Sequence, residues 1–408
     1  MIPILYKDSE VDFYDNGLGA LTELYNVDVQ EQRNGLFTLT ANYPVNGVHY
    51  DDIEVGKIIY AKANSVDGPQ VFRIVHSQLD LLGNSLNIEA DHITYDLTHN
   101  MIKSVHLKGN GQAVMRQLQD ATMSPHMFTF TSDLTHNGES TLEFVNPMEA
   151  VAGTQGSILQ IWGGELKRGN RTVSMLTRRG RDNFTSFRLG KNIEGLKYTV
   201  DTANLVTRIV PTVKQSKDDK EYFIAGKTVD SKNINQYANI YMKNVDMSDV
   251  VSIEEDDTDS MIQKKIDIEA KNWFTQSANA HVDLPDITVE IDVASLHDSA
   301  DYQEKFSRLE AIELTDTVTV YVPEYGINLE AIVNEIHYDS IAERVTNIVI
   351  GTSKTSFTEA NQNKFQEMEN KITQIQRDVN FAAVSANGKN RNFYTNTEPD
   401  HPVTGDLW

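Results

Sequence analysis

Cysteine is absent from the 408 residues. That excludes disulfide staples, thiolate nucleophiles and cysteine-ligated zinc. It does not fix a compartment, because large cores manage without disulfides. Tryptophan occurs three times, as Trp162, Trp273 and Trp408. These positions are far apart in sequence and suggest no aromatic platform for a sugar. No apolar run approaches the roughly 18 residues that span a bilayer, so no membrane-spanning segment is expected. The start, Met1-Ile2-Pro3-Ile4-Leu5-Tyr6, has no basic region and soon meets Asp8 and Glu10, so no secretory signal is expected. Basic side chains are the minority, 36 against 59 acidic ones, a net charge of -23. A general nucleic-acid binder needs a basic face, which this balance argues against while leaving room for a small patch.

The usual catalytic constellations are missing as well. There is no His-Glu-x-x-His. His92-Ile93-Thr94-Tyr95-Asp96 has the His-x-x-x-Asp spacing of one class of zinc peptidases that cut cell-wall crosslinks, but the later His-x-His of that class is lacking. His92, His99 and His106 recur every seven residues in a strand-like stretch and are read as scattered surface histidines. No Gly-x-Ser-x-Gly elbow, P-loop or dinucleotide glycine signature occurs; Gly17-x-Gly19 lacks both the further glycine and the context. Acidic pairs abound, but a glycosidase needs two carboxylates about 5–10 Å apart, which a sequence does not display. The expectation is a non-enzyme with no cofactor and no metal.

What is present is strand and turn. At roughly 150 residues per domain the length suggests two to four domains, and the 39% apolar content is enough for their cores. Residues 1–105 alternate short β-prone runs (Leu36–Ala41, Lys57–Ala61, Val71–Val75) with turns at Asn34-Gly35, Asn46-Gly47, Asp67-Gly68-Pro69 and Gly83-Asn84. Val114, Leu118 and Ala121 predict an amphipathic helix over 111–121. Further strands are expected at 127–130, 142–145, 157–162, 173–176 and 205–210, the last stopped by Pro211. The polar run 214–221 suggests an exposed hairpin tip. A helix is predicted over 259–279 with Ile262, Ile266, Ala270 and Phe274 at spacing four, its early acids near the positive N-terminus. Strands return over 286–293 and from 316 to 350, clearest at Thr317–Val322 and 345–350.

The last stretch changes character. Ser356 and Glu359 suit a capping box, and Phe365, Met368, Ile372, Ile375 and Val379 form an a/d seam over about two heptads. A helix over about 357–380 is expected to pack against copies of itself, the alternative being one amphipathic helix lying on the preceding domain. Residues 385–408, rich in Asn, Gly, Pro and Thr, suggest an extended segment.

Several pieces taken together resemble the prophage endopeptidase tail family, the tail-associated lysin or baseplate hub proteins of phages of Gram-positive bacteria. They are Trp162-Gly163-Gly164-Glu165, Arg178-Arg179-Gly180, Gly190-Lys191-Asn192, and the strand around Thr207-Arg208 ending at Pro211. A second stretch runs from Leu314 through Thr317-Val318 to Gly351, with Thr315 where the family usually has glycine, which is expected to loosen the turn slightly. The resemblance covers residues 1 to about 352. It implies an α+β, mainly β, multidomain baseplate-hub-like fold with small β-barrel-like domains, followed by a C-terminal helix. The domains expected are 1–105 (β-rich), 106–210 (α+β with further barrel elements), 211–300 (an α+β insertion), 301–352 (strands closing the hub), 353–382 (coiled-coil-like helix) and 383–408 (extension). It further implies a homotrimeric ring at the distal end of a virion tail, made in the host cytoplasm. That ring would sit below the distal tail protein and near the tape measure protein, capping or gating a tube through which phage DNA passes without specific binding. Any extension beyond the hub would point toward the host surface and could contact the host cell wall or carry a receptor-binding module, and any lytic domain would lie beyond residue 408. The negative charge would suit a channel that does not hold DNA, although a charge run is more often a solvated face. Two other readings stay open, a cell-wall-degrading tail endopeptidase and a carbohydrate-binding adhesin.

Overall fold

Strict alternation shapes the first strands. In β3 (Tyr25–Gln32) and β4 (Phe37–Pro44) every second side chain is buried, with Phe37, Leu39, Ala41 and Tyr43 inward. Burying each large one contributes about 1.5–3 kcal/mol. They are flanked by β1 (Ile4–Tyr6), β2 (Gly19–Ala20), β5 (Ile58–Ala61), β6 (Gln70–Asp80) and β7 (Ser85–His92). The computed structural model describes residues 1–189, 191–217, 220–248, 250–254, 256–275, 279, 282–293 and 311–351.

An α+β insertion follows: β8 (Ile102–Gly109), α1 (Gly111–Ala121), β9 (Thr129–Ser132), β10 (Gly138–Val145), α2 (Pro147–Ala152), α3 (Ile158–Trp162), β11 (Glu165–Gly169) and β12 (Thr172–Leu176). The chain returns to the main sheet with β13 (Thr185–Arg188) and β14 (Ile193–Asp201). A second insertion holds β15 (Arg208–Lys217), β16 (Lys220–Ala225), β17 (Val229–Asp230), β18 (Met242–Asp246) and α4 (Asp259–Ala270). The main sheet is completed by β19 (Asp286–Val293), β20 (Thr317–Val322), β21 (Ile327–Asp339) and β22 (Arg344–Gly351).

The result is mainly β and multidomain, with few short helices around one large curled sheet of thirteen strands. The sheet joins the two ends of the described chain. Antiparallel pairing of β21 with β3, from Glu335↔Gln32 to Asp339↔Asp28, is the seam. Its core therefore mixes Leu39, Phe72 and Ile88 with Val318, Val333 and Ile350. The second core lies in the first insertion, and it also takes the opposite faces of β1, β5 and β6. Leu5, Ile59 and Phe72 point into the first core while Tyr6, Ile58 and Val71 point into the second. Burial on both faces explains the apolar runs Ile4–Tyr6 and Ile58–Ala61 and the pair Val71-Phe72. The third core packs α4, through Ile262, Ile266 and Ala270, on Ile209 and Val213 of β15.

The helix at 111–121 forms as its periodicity predicts, with Asn110 Oδ1 accepting from Ala113 N at 3.0 Å and Val114, Met115 and Leu118 inward. The strand at Thr317–Val322 also forms with those bounds. Four expectations are corrected. Residues 158–162 are helical, not extended: Ser157 caps them, and Ile158 and Trp162, four apart, share the buried face. A short apolar run does not distinguish the two states by itself. Pro211 does not stop its strand. It sits in β15 where the antiparallel partner changes from β17 to β16, so its missing N–H interrupts no antiparallel pair. The α-helix from 259 ends at Ala270, after which a tight turn at Trp273–Thr275 lays Trp273 and Phe274 on the third core. His92 is wholly buried, while His106 is exposed. The helix and extension assigned to 353–408, with Phe365, Met368, Ile372, Ile375 and Val379, lie outside the described residues.

Candidate functional site: a buried ionic junction

The sequence pieces around Trp162 and Arg179 meet where the first insertion docks on the main sheet. Trp162 closes α3, with its indole N–H donating to Gly109 O at 2.8 Å. Gly163 (φ 73°) and Gly164 (φ 102°) then turn the chain into β11 through backbone conformations that side chains disfavour. That turn delivers Glu165 into the junction, where it is 4% exposed. Its carboxylate accepts from Arg33 Nη2 at 2.9 Å and from the backbone N–H of Arg179 at 2.7 Å. Arg179 grips Glu31 of β3 with two bonds of 2.7 and 2.9 Å. Burial pulls the Arg179 guanidinium down, but the Glu31 carboxylate and its hydrogen bonds more than reverse this, and the group ends above its ordinary value. Arg33 moves the other way, because burial there outweighs the charge of Glu165.

Gly180 follows at a point of backbone contact. A Cβ there would lie 2.2 Å from the Asp316 nitrogen, so only glycine fits without displacement. Its N–H donates to Thr315 Oγ1 at 2.7 Å. Thr315 holds the left-handed conformation (φ 68°) that a glycine would take more easily. The turn is thus not loosened by the threonine; the hydroxyl fastens it to Gly180. Arg181 then pairs with the fully buried Asp316, and Glu313 stands beside Arg181 and Lys167 at 3.8 and 3.9 Å. Burial pushes the Glu313 carboxyl up against the opposing pull of Lys167 and the arginines.

The remaining pieces lie elsewhere. Lys191 is exposed, and Asn192 folds back within its own turn, accepting from Arg188 N at 2.8 Å and donating to Ser186 O at 3.0 Å. Gly190 is outside the described residues. Thr207 is buried at the start of the second insertion and accepts from Tyr241 N at 2.9 Å, while Arg208 pairs with Asp230. Thr317 Oγ1 accepts from Asn183 N at 2.7 Å, and Val318 is in the first core. The structure therefore brings together Trp162 to Glu165, Arg179 to Gly180 and the stretch before Thr317, and leaves Lys191, Asn192, Thr207, Arg208 and Pro211 apart from them. Sequence reasoning missed Glu31, Arg33, Thr315 as a ligand of Gly180, and Asp316. Their partners are 132 to 148 residues away, so no local signal marks them.

A second polar cluster also went unseen. His337 Nδ1 meets Asp28 at 2.7 Å and Nε2 meets Glu335 at 2.9 Å, while Gln30 and Gln32 donate to the same Glu335. It straddles the β3–β21 seam. Burial would lower the histidine, but the hydrogen bonds and charges of the two carboxylates push it up to about 10. Both clusters are ionic fasteners between distant parts of the chain. Among the described residues no three His, Asp or Glu side chains converge as a metal ion would require.

The overall fold is shared with solved phage tail proteins. It is matched by the prophage tail protein gp18 of Listeria monocytogenes EGD-e at 14% identity, over 90% of this chain and 100% of that one, with a TM-score of 0.54. The 43 kDa tail protein of prophage MuSo2 from Shewanella oneidensis matches at 12% identity, over 86% and 98%, with a TM-score of 0.51. A tail protein of Neisseria meningitidis MC58 matches at 11%, over 88% and 98%, with a TM-score of 0.50. Residues 181–361 match the model of the prophage endopeptidase tail family, the family that the sequence resembles. Among curated proteins none matches.

Proposed function

We propose that the chain is a structural tail-tip or baseplate hub protein of a long-tailed bacteriophage. In this reading three copies form a ring at the distal end of the tail, below the distal tail protein and near the tape measure protein. The ring caps or gates the tube, lets DNA pass without binding it, and carries host-facing modules after residue 352. The observation that supports this best is the tail-protein fold, shared over 90% of this chain and the full length of the Listeria protein. The family match over 181–361 agrees with it. So does the character of the junction, whose conspicuous charged groups are spent on one another and not aimed at an open cleft. The test is a reconstruction of the assembled tail tip. Density for three copies around the axis beneath the distal tail protein is the expected outcome, and a peripheral position on the tail or a different copy number would overturn the ring.

The family's endopeptidase label supports a second reading, a wall-degrading enzyme. We hold these residues to be non-catalytic and place any lytic domain beyond residue 408. The purified chain is expected to leave a host cell-wall suspension turbid and muropeptides uncut, with or without added zinc. Metal-dependent cleavage would establish the second reading instead.

A further inference from the structure

Strand β6 is paired on both sides for only part of its length. Against β7 it runs from Phe72↔His92 to Asp80↔Ser85. Against β5 only Gln70–Arg73 are in register, and Ile74 closes the pairing through bonds of 2.9 and 2.8 Å with Lys57 and Gly56. Beyond that point, among the described residues, no strand pairs with the second edge of residues 75–80. The usual protections are few on this edge: a register shift between Ile74 and His76 marks its start and Asp80 is charged at its end, but residues 76–79 between them hold no proline or lysine, and Val75 and Leu79 are 42% and 45% exposed. Leu79 lies opposite Leu86, and both alternate with the solvent-facing positions so that Leu86 is in the first core. The core-facing side of the sheet therefore reaches this edge uncovered.

The turn beyond it has the same character. Leu81 and Leu82 are 81% and 102% exposed. Neither is needed for the turn. Asp80 Oδ1 accepts from the N–H groups of Leu82 and Gly83 at 3.0 Å each, and Asn84 takes the left-handed conformation at φ 51°. Asp80, Gly83 and Asn84 fix the shape with the backbone N–H of Leu82, and the two leucine side chains add only apolar surface. Acidic side chains predominate in the chain that adjoins the edge: Asp80 is at the turn, and Asp51, Asp52 and Glu54 precede Gly56, whose N–H bonds Ile74, while the basic groups are Lys57, paired with Glu54 at 3.6 Å, and His76 on the edge itself.

We propose that the outer edge of β6, with Leu79, Leu81 and Leu82, receives an extended apolar and basic segment of a different protein, added to the sheet as a strand beyond the start of β5. Strand addition satisfies the unpaired backbone groups, and alternate side chains of the guest cover Leu79. Charge selects the guest. A second copy set edge to edge here would bring the same acids to face one another, whereas a basic segment complements them. The inference is independent of the proposed ring, because the edge and its charge belong to a single copy.

The test uses the full chain and a labelled heptapeptide alternating lysine and valine, with a glutamate–valine peptide as its opposite. Saturable binding of the basic peptide is expected, with new amide protection confined to residues 75–80 and no binding of the acidic one. Leu79→Lys, and separately the pair Leu81→Ser with Leu82→Ser, should each weaken it by about tenfold or more, the order expected for one lost apolar anchor. An unchanged thermal midpoint shows that each variant is folded, and the turn pair serves if Leu79→Lys is not. Equal binding of both peptides, no binding of the basic one, or binding that survives the substitutions overturns the proposal. So does a mass that rises with concentration in the wild type and not in Leu79→Lys, which would assign the edge to a second copy.

Discussion

At the scale of single residues, Arg179 carries the most. It joins β3 to the first insertion through a carboxylate that is itself buried, and removing either partner strands a charge away from water. Arg179→Met is expected to cost about 3–5 kcal/mol in urea unfolding, and the double variant with Glu31→Met to recover a good part of that, because an unpaired buried charge costs more than an absent pair. Gly180→Ala has no room and should destabilise strongly by parting Thr315 from its neighbour, whereas an alanine at the half-buried Gly163 meets no atom within 4 Å and costs only its backbone conformation. His337 makes stability depend on pH with a definite sign. Its folded value, about 10, lies above the ordinary 6.5, so the folded state holds the proton more tightly. The contribution is full below about pH 6.5 and is lost as pH rises through 10. His92 has the opposite sign: burial first, then the nearby Arg168, keeps it neutral, so its contribution is full above 6.5 and lost as pH falls below that. Urea midpoints of the wild type should therefore decline from pH 6.5 to 9.5 more steeply than those of His337→Gln. Parallel curves would show that the two carboxylates do not hold this proton.

At the scale of elements, helix α1 shows what a local pattern can fix. Its cap at Asn110, its apolar stripe and its length all lie within residues 110–121. Leu118→Ala is expected to cost about 2–5 kcal/mol by emptying the second core, and Asn110→Ala about 1 kcal/mol through the lost cap; equal costs would mean that the helix is held by its end and not by its face. Helix α3 shows the reverse. The run Ile158-Leu159-Gln160-Ile161-Trp162 suits a strand by composition, and only the placing of Ile158 and Trp162 on one buried side, with Ser157 to cap it, makes it helical. Pro211 survives inside β15 for a reason that the sequence around it does not contain, namely that β17 and β16 share one edge of that strand.

At the scale of the whole molecule, the main sheet joins strands from opposite ends of the described chain, and the first insertion is held to it by a shared apolar core and by the ionic junction. If the ring proposed above forms without other tail proteins, sedimentation should give a mass of three chains that is stable on dilution. A single chain at all concentrations would mean that assembly needs a template such as the distal tail protein. Replacing Ile372 and Ile375 by aspartate tests whether the predicted a/d seam of residues 365–379 contributes, since buried charges without partners are strongly unfavourable. The expected result is a weaker trimer and not its complete loss, because two heptads are short.

The sequence by itself determined the β-rich, multidomain character, the helix at 111–121, the strand at Thr317–Val322 and the family resemblance. Each of these rests on alternation, caps, turn residues or ordered motifs, which act within a few residues of one another. Tertiary structure alone decided that Glu31 meets Arg179, that Asp28 and Glu335 enclose His337, and that Thr315 fastens Gly180. It also decided that His92 is buried between Phe37 and its polar partners Gln70 and Thr94. A charged or polar side chain looks the same in sequence whether it faces water or a partner 148 residues away. Burial settles which it does, and burial at these positions exists only once β3 and β21 have paired and the first insertion has docked.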